Sequence, residues 1–299
     1  MKGQLNCPCL ESVEVEAIVI KVVVDSTADV PSETREMYDI TVVPLYIHFG
    51  RESFRDNVDL SRDEFYRRLV SGDILPKTAA PSIGDFAQVF RRLVDDGHEV
   101  LSLSMSGALS ATFSSAQQAA QQADGARIAC IDSHCAAMPM TYMAVAAAEA
   151  ARAGHSLKEV VSLMESLRPR MVIYTAFETL RYLEKGGRIG RMRAFLGTML
   201  SVKPILTLNN GEFYPVEQVR TWKRVPERMV DLMLSRGAFE QLDILYTTGV
   251  ENAERLADMC AEIGLMARER IRPVQVGAVI GTHFGPGSLG IMGMLKQTG

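Results

Sequence analysis

Hydroxyl side chains next to glycine, and one histidine set between glycines, are the residues of this chain best equipped for chemistry. Ser104-Met105-Ser106-Gly107-Ala108-Leu109-Ser110 follows the strand-like run 99–104 and precedes a helix expected to reach about 123. A hydroxyl and free backbone N–H groups at such a turn can hold an anion, and the same residues can equally well cap the helix. Neither the glycine-rich run with Lys nor the G-x-G-x-x-G pattern of a phosphate loop occurs, which argues against nucleotide binding in the first domain. Lys77-Thr78-Ala79-Ala80-Pro81-Ser82 brings a second hydroxyl in a loop before a helix expected over 83–96. Gly281-Thr282-His283-Phe284-Gly285-Pro286-Gly287 sets an imidazole, expected at the end of the last strand, where glycine lets a ligand or backbone come close. An imidazole there can donate to a carboxylate. Lys185-Gly186-Gly187-Arg188-Ile189-Gly190-Arg191 either ends a helix or presents Arg188 to an acidic partner.

Two other chemistries are open to these residue types. Ser106, His283 and Asp25 or Asp132 are the members of a serine-hydrolase triad. The G-x-S-x-G elbow is missing, since Ser104 stands where its first glycine belongs. Cys7-Pro8-Cys9 lacks the second Cys or His pair of a zinc site, so neither metal nor cofactor is expected. Arg220, Lys223 and Arg224 around Trp222 read as a solvated face.

The elements that must position these groups alternate in type. A β-branched run over 17–24 ends at Asp25-Ser26-Thr27, the pattern of a strand buried on both faces. Helices are expected over 31–38, with Pro31 in the first turn, and over 61–71, where Ser61 and Glu64 form a capping box. Residues 40–49 read as a strand pair or an extended segment. Strands at 99–104 and 127–131 each lead into a helix, so the first half is read as parallel βαβ units. Ligands in such sheets sit at the carboxyl ends of the strands. Asp25-Ser26-Thr27, Ser104 to Gly107 and Asp132-Ser133-His134 all fall there, and their hydroxyls are expected to converge on one rim.

Beyond 169 the order changes to strands at 171–175, 204–208, 213–219, 242–247 and a last one at 276–282, with a short helix at 180–184. Asn209-Asn210-Gly211 marks a hairpin. The expected fold is α/β with two domains: a tail over 1–16, a parallel-sheet α/β domain over 17–168, and an α+β domain with a mixed sheet over 169–299.

Composition narrows the classes. Single cores stop growing at roughly 250–300 residues, so 299 residues fit two domains. A hydrophobic share of 47% with 23% charged residues is globular. A net charge of −4 with 32 scattered Lys and Arg argues against nucleic acid or an anionic membrane surface as partner. No run reaches the ~18–20 apolar residues of a membrane span, so no stable membrane insertion is expected. Glu11, Glu14 and Glu16 precede the first apolar run where a signal peptide would be basic. Five cysteines without repeating spacing fit a reducing, cytoplasmic compartment.

Taken in order, Asp25-Ser26-Thr27-Ala28-Asp29-Val30-Pro31, Lys77-Thr78-x-x-Pro81-Ser82, Ser106-x-x-Leu109-Ser110-x-Thr112, Leu183-x-Lys185-Gly186-Gly187-Arg188-Ile189 and Gly281-Thr282-His283-x-Gly285-Pro286-Gly287 resemble the DegV family. The resemblance runs from about residue 20 to the C-terminus. It implies a two-domain α/β carrier, a monomer without turnover of its own. A long-chain fatty acid such as palmitate, stearate or oleate would lie in a tunnel between the domains and be presented to a partner fatty acid kinase. Thr78 and Ser106 would bind the carboxylate with His283 beside it, and Ser26, Gly107, Ser110 and Thr282 are secondary candidates. Arg188 would belong to the kinase-facing surface. The family commonly has Ser-Gln at Ala79-Ala80 and a second Ser at Gly107, so this chain carries fewer polar groups there. Burying a C16 tail at ~0.8 kcal/mol per CH₂ gives an upper bound of about 12 kcal/mol before ordering costs. The 16 Met, with Phe177, Phe195, Leu196, Met199 and Leu200, are the expected lining.

Overall fold

The computed structural model describes residues 19–190, 193 and 202–297. The expected tail with Cys7 and Cys9, and the expected lining residues Phe195, Leu196, Met199 and Leu200, lie outside the described residues. The β-branched run forms β1 (Ile20–Asp25), followed by α1 (Ser32–Tyr38), β2 (Thr41–Val43), β3 (Tyr46–Phe49) and β4 (Glu52–Arg55). Then come α2 (Arg62–Ser71), β5 (Lys77–Ala79), α3 (Ile83–Asp95), β6 (Glu99–Ser104), α4 (Thr112–Gln122), β7 (Ile128–Asp132), α5 (Met138–Arg152) and α6 (Leu157–Leu167). Order β2-β1-β6-β7 makes a wholly parallel sheet, as the alternation of strands and helices requires. Strands β4-β3-β5 form a small antiparallel sheet beside it. The segment around Thr78, read as a loop, is therefore the edge strand β5, too short to carry a periodic pattern.

The second half begins with β8 (Met171–Ala176), α7 (Arg181–Lys185), β9 (Lys203–Asn209) and β10 (Glu212–Val219). It continues through α8 (Val225–Leu234), β11 (Phe239–Tyr246), α9 (Val250–Glu262), β12 (Arg272–Gln275), α10 (Ala278–Phe284) and β13 (Leu289–Leu295). The sheet order is β10-β9-β8-β13-β11-β12, with only β11–β12 parallel, so the expected mixed sheet is present. Asn210 (φ 48°) and Gly211 (φ 79°) close the β9–β10 hairpin, the positive φ pair of a type I′ turn.

Two expectations fail for local physical reasons. Residues 276–282 are not the last strand: 278–284 form the helix α10 and the last strand is Leu289–Leu295. Five of its seven residues are fully buried, so no polar face marks a helical period. Ser61 accepts from the Glu64 amide (3.3 Å), but the Glu64 carboxylate turns to Arg67 and Arg68, leaving half a capping box. Complete boxes form at Ser82 with Asp85 and at Ser156 with Glu159.

One continuous apolar core joins the two halves. Helix α5, lined by Ala144, Ala147 and Ala148, packs against both β1 and β13, because alanines let two sheets approach one helix closely. Helix α10 seats against α2, and a Cβ on Gly281 would lie 2.6 Å from Tyr66 Oη. Tyr142 Oη donates to Asp243 Oδ2 (2.6 Å) and the Gly277 amide donates to Asp29 Oδ2 (3.0 Å), tying the halves through buried carboxylates. Among the described residues no helix is long and apolar enough to cross a membrane.

Candidate functional site

Between the sheets lies a cavity with a mostly apolar wall. Leu45, Met105 and Leu109 line it from the first half, and Ile173, Leu208, Phe213 and Met292 from the mixed sheet. Val279, Ile280 and Phe284 of α10 complete the wall. The polar side chains on this surface are Thr78, Ser110, Thr175, Arg188 and His283.

Thr78 and His283 are joined by a 2.8 Å hydrogen bond between Oγ1 and Nε2. Burial, and then the nearby Arg188 guanidinium, push the imidazole down to about 4, so it is neutral at physiological pH. Its Nδ1 is buried without a partner among the described residues, facing Gly186, where a Cβ would stand 2.2 Å away. That contact explains the glycine of the Lys185–Ile189 turn: it makes room for the histidine ring. Arg188 is held over the cavity by its own bonds, Nε donating to the Leu109 carbonyl (3.1 Å) and Nη1 to that of Gly186 (2.7 Å). It lines the cavity while remaining half-exposed.

The Ser104–Ser110 turn is built differently from the expectation. Helix α4 starts only at Thr112, so no helix N–H groups face outward at Ser106-Gly107. Ser106 is fully buried; its hydroxyl donates to the Gly211 carbonyl at the hairpin tip (2.8 Å) and accepts from the Ala108 amide (3.2 Å). The Gly107 amide donates to Asp132 Oδ2 (3.0 Å), and a Cβ there would crowd that oxygen at 2.8 Å. The strand ends do converge, but on one another: Asp25 accepts from the Met105 amide (2.7 Å) and from Thr27, and Ser26 Oγ accepts from the Leu45 amide (3.1 Å). Thr282 donates to Ala278 within α10. The structure thus gathers Thr78, His283, Arg188 and Ser110 at the cavity, whereas Ser106, Ser26, Gly107 and Thr282 serve the framework around it.

The hydrolase arrangement is not assembled. Ser106 bonds to Gly211, His283 to Thr78 and Asp25 to Thr27 and Met105, so no serine–histidine–carboxylate relay connects them. The thiols of Cys130, Cys135 and Cys260 are pushed up to about 12 by burial, which removes them as nucleophiles. No three His, Cys, Asp or Glu side chains among the described residues are grouped to hold a metal ion. Thr175 was not singled out by the sequence. The strand pattern at 171–175 was its only signal, since alternation puts 173 and 175 on one face.

A family model for DegV, a family described as uncharacterised, matches residues 19–296. Protein DegV of Bacillus subtilis is 31% identical over 281 residues, covering 93% of this chain and 99% of that protein. A Thermus thermophilus DegV family structure, described for its fatty acid binding, superposes with a TM-score of 0.86 at 32% identity, covering 93% of this chain and all (100%) of the other. A stearic-acid-binding protein of Eubacterium ventriosum gives 0.83 at 26% identity, covering 93% and 98% of the two chains.

Proposed function

Because the chain belongs to the DegV family, we propose that it binds a long-chain fatty acid in the cavity between its halves, with the carboxylate at Thr78 and His283. The observation that carries this reading is a neutral, hydrogen-bonded polar pair on the wall of a mostly apolar cavity. In this arrangement His283 Nε2–H donates to Thr78 Oγ1 and the threonine hydroxyl donates to the carboxylate. Arg188 adds its charge from the rim. The apolar wall supplies affinity for the tail, and the threonine hydroxyl, a neutral donor oriented by His283, holds the head group without fixing it permanently. The fatty acid binding of solved relatives supports the same choice. A bound, correctly oriented carboxylate beside a half-exposed arginine also suits presentation to a partner kinase, with this chain as cytoplasmic carrier and the domain boundary at 168/169.

The test is native mass spectrometry of the purified protein, followed by gas chromatography of extracted lipid and titration with palmitate and oleate. The expected result is one acyl chain per protein, with affinity falling roughly tenfold or more in Thr78→Val, because a buried charged acceptor loses a donor. A protein that takes up neither acid overturns the reading. Arg188→Ala is expected to retain palmitate while losing acyl-phosphate formation with ATP and a cognate kinase; retention of both removes Arg188 from the kinase-facing surface, and a wild type that supports no acyl-phosphate formation removes the kinase role.

A further inference from the structure

The wall of the cavity contains one hydroxyl that no protein group uses. Thr175 lies on β8 with Ile173 on the same face, opposite Gly290 of β13 and Leu206 of β9. It is 2% exposed and lines the cavity, yet its Oγ1 has no hydrogen-bond partner among the described residues. A Cβ on Gly290 would sit 3.4 Å from that oxygen, an ordinary contact, and the glycine itself offers the hydroxyl no side-chain partner.

Neighbouring hydroxyls behave otherwise. Thr207 donates to the Ile173 carbonyl (2.7 Å), Ser110 pairs with Thr112 (2.8 Å), and Ser288 donates to Phe284 (2.9 Å). Ser102 and Ser104 are also unpartnered, but neither faces the cavity. A valine would fill the space of Thr175 without burying an idle donor. A saturated tail cannot satisfy that donor, and a cis double bond offers only a weak π contact. An oxygen carried on the chain would satisfy it fully.

We propose that Thr175 is a specificity-determining residue that favours long-chain fatty acids bearing a hydroxyl group along the chain. The proposal rests on the fatty acid reading above. Its test is equilibrium binding of stearate, oleate and a set of hydroxystearates substituted at successive chain positions, to wild type, Thr175→Val and Thr175→Ser. At least one hydroxystearate is expected to bind wild type roughly five- to tenfold more tightly than stearate, the worth of one hydrogen bond. Thr175→Ser should keep the preference and Thr175→Val should abolish it while binding stearate at least as well. Thr175→Val should also melt no lower than wild type without ligand, because it removes an unpaired buried hydroxyl. No favoured isomer, a preference that survives in Thr175→Val, or a preference that follows the double bond of oleate overturns the proposal. Failure of wild type to bind stearate at all overturns the underlying reading with it.

Discussion

At the scale of single residues, the state of His283 is set by its surroundings. Apolar walls and the Arg188 cation both disfavour the imidazolium, so the ring meets Thr78 as a neutral partner. Its position depends on Gly186, where any side chain would enter the space of Nδ1. Gly186→Ala is therefore expected to displace the ring, break the Thr78 bond and weaken palmitate binding about tenfold, with a stability loss of about 1–3 kcal/mol from overpacking. Titration calorimetry with thermal melting checks both, and unchanged affinity would show that His283 does not set the head-group site. Thr78 and His283 are 205 positions apart, and no spacing rule could bring them to 2.8 Å. Only the ordered motifs suggested that they meet. Ser106 shows the opposite limit: its place at a strand end was legible, but the Gly211 carbonyl that takes its hydroxyl arrives from 105 residues away.

At the scale of elements, the β9–β10 hairpin does two jobs: it extends the mixed sheet and plugs its tip against the first half. Asn210-Gly211 was readable as a turn because few residues accept two successive positive φ values. What the tip touches was not readable. Ser106→Ala leaves the Gly211 carbonyl without its side-chain donor, so we expect a loss of about 1–2 kcal/mol and faster amide exchange at the hairpin tip in the ligand-free protein. Melting and hydrogen exchange without ligand separate this framework role from any part in carboxylate binding; an unmoved hairpin would leave Ser106 to the ligand alone. Helix α10 was misread for a reason of the same kind. Residues 278–280 are apolar and include two β-branched side chains, while the helix is chosen by the surface of α2, into which Gly281 fits. Parallel strand β1 was legible from its near-continuous β-branched run, and β6 and β7 from short apolar runs that each lead into a helix. The three-residue edge strand β5 owes its conformation to pairing with β3.

At the scale of the whole molecule, the halves meet over buried carboxylates, and this makes stability a function of pH. Asp29 is raised to about 6, by burial against the opposing pull of Arg62 and the Gly277 amide. Asp56 is raised to about 7, chiefly by burial and then by Asp29; Ser26 and the Ala278 amide approach it without closing a hydrogen bond of ordinary geometry. Both groups hold protons in the folded state that the unfolded chain, with carboxyls near 3.8, releases. Their contribution to stability therefore falls as pH rises from about 4 to about 7. His283 works in the other direction: folded near 4 and unfolded near 6.5, it adds stability as pH rises through that window. The two slopes oppose each other below pH about 6, and above it only the acidic penalty still grows. Asp56→Asn removes the larger acidic share at the join of α10 with the first half. Its melting temperature relative to wild type should therefore rise between about pH 5 and about pH 8, by an amount corresponding to roughly 2 kcal/mol, or several degrees. Paired thermal melts across that range decide the matter. A constant difference would mean that Asp56 is ionised in the folded protein throughout and that the join is held by a charge rather than by a buried acid.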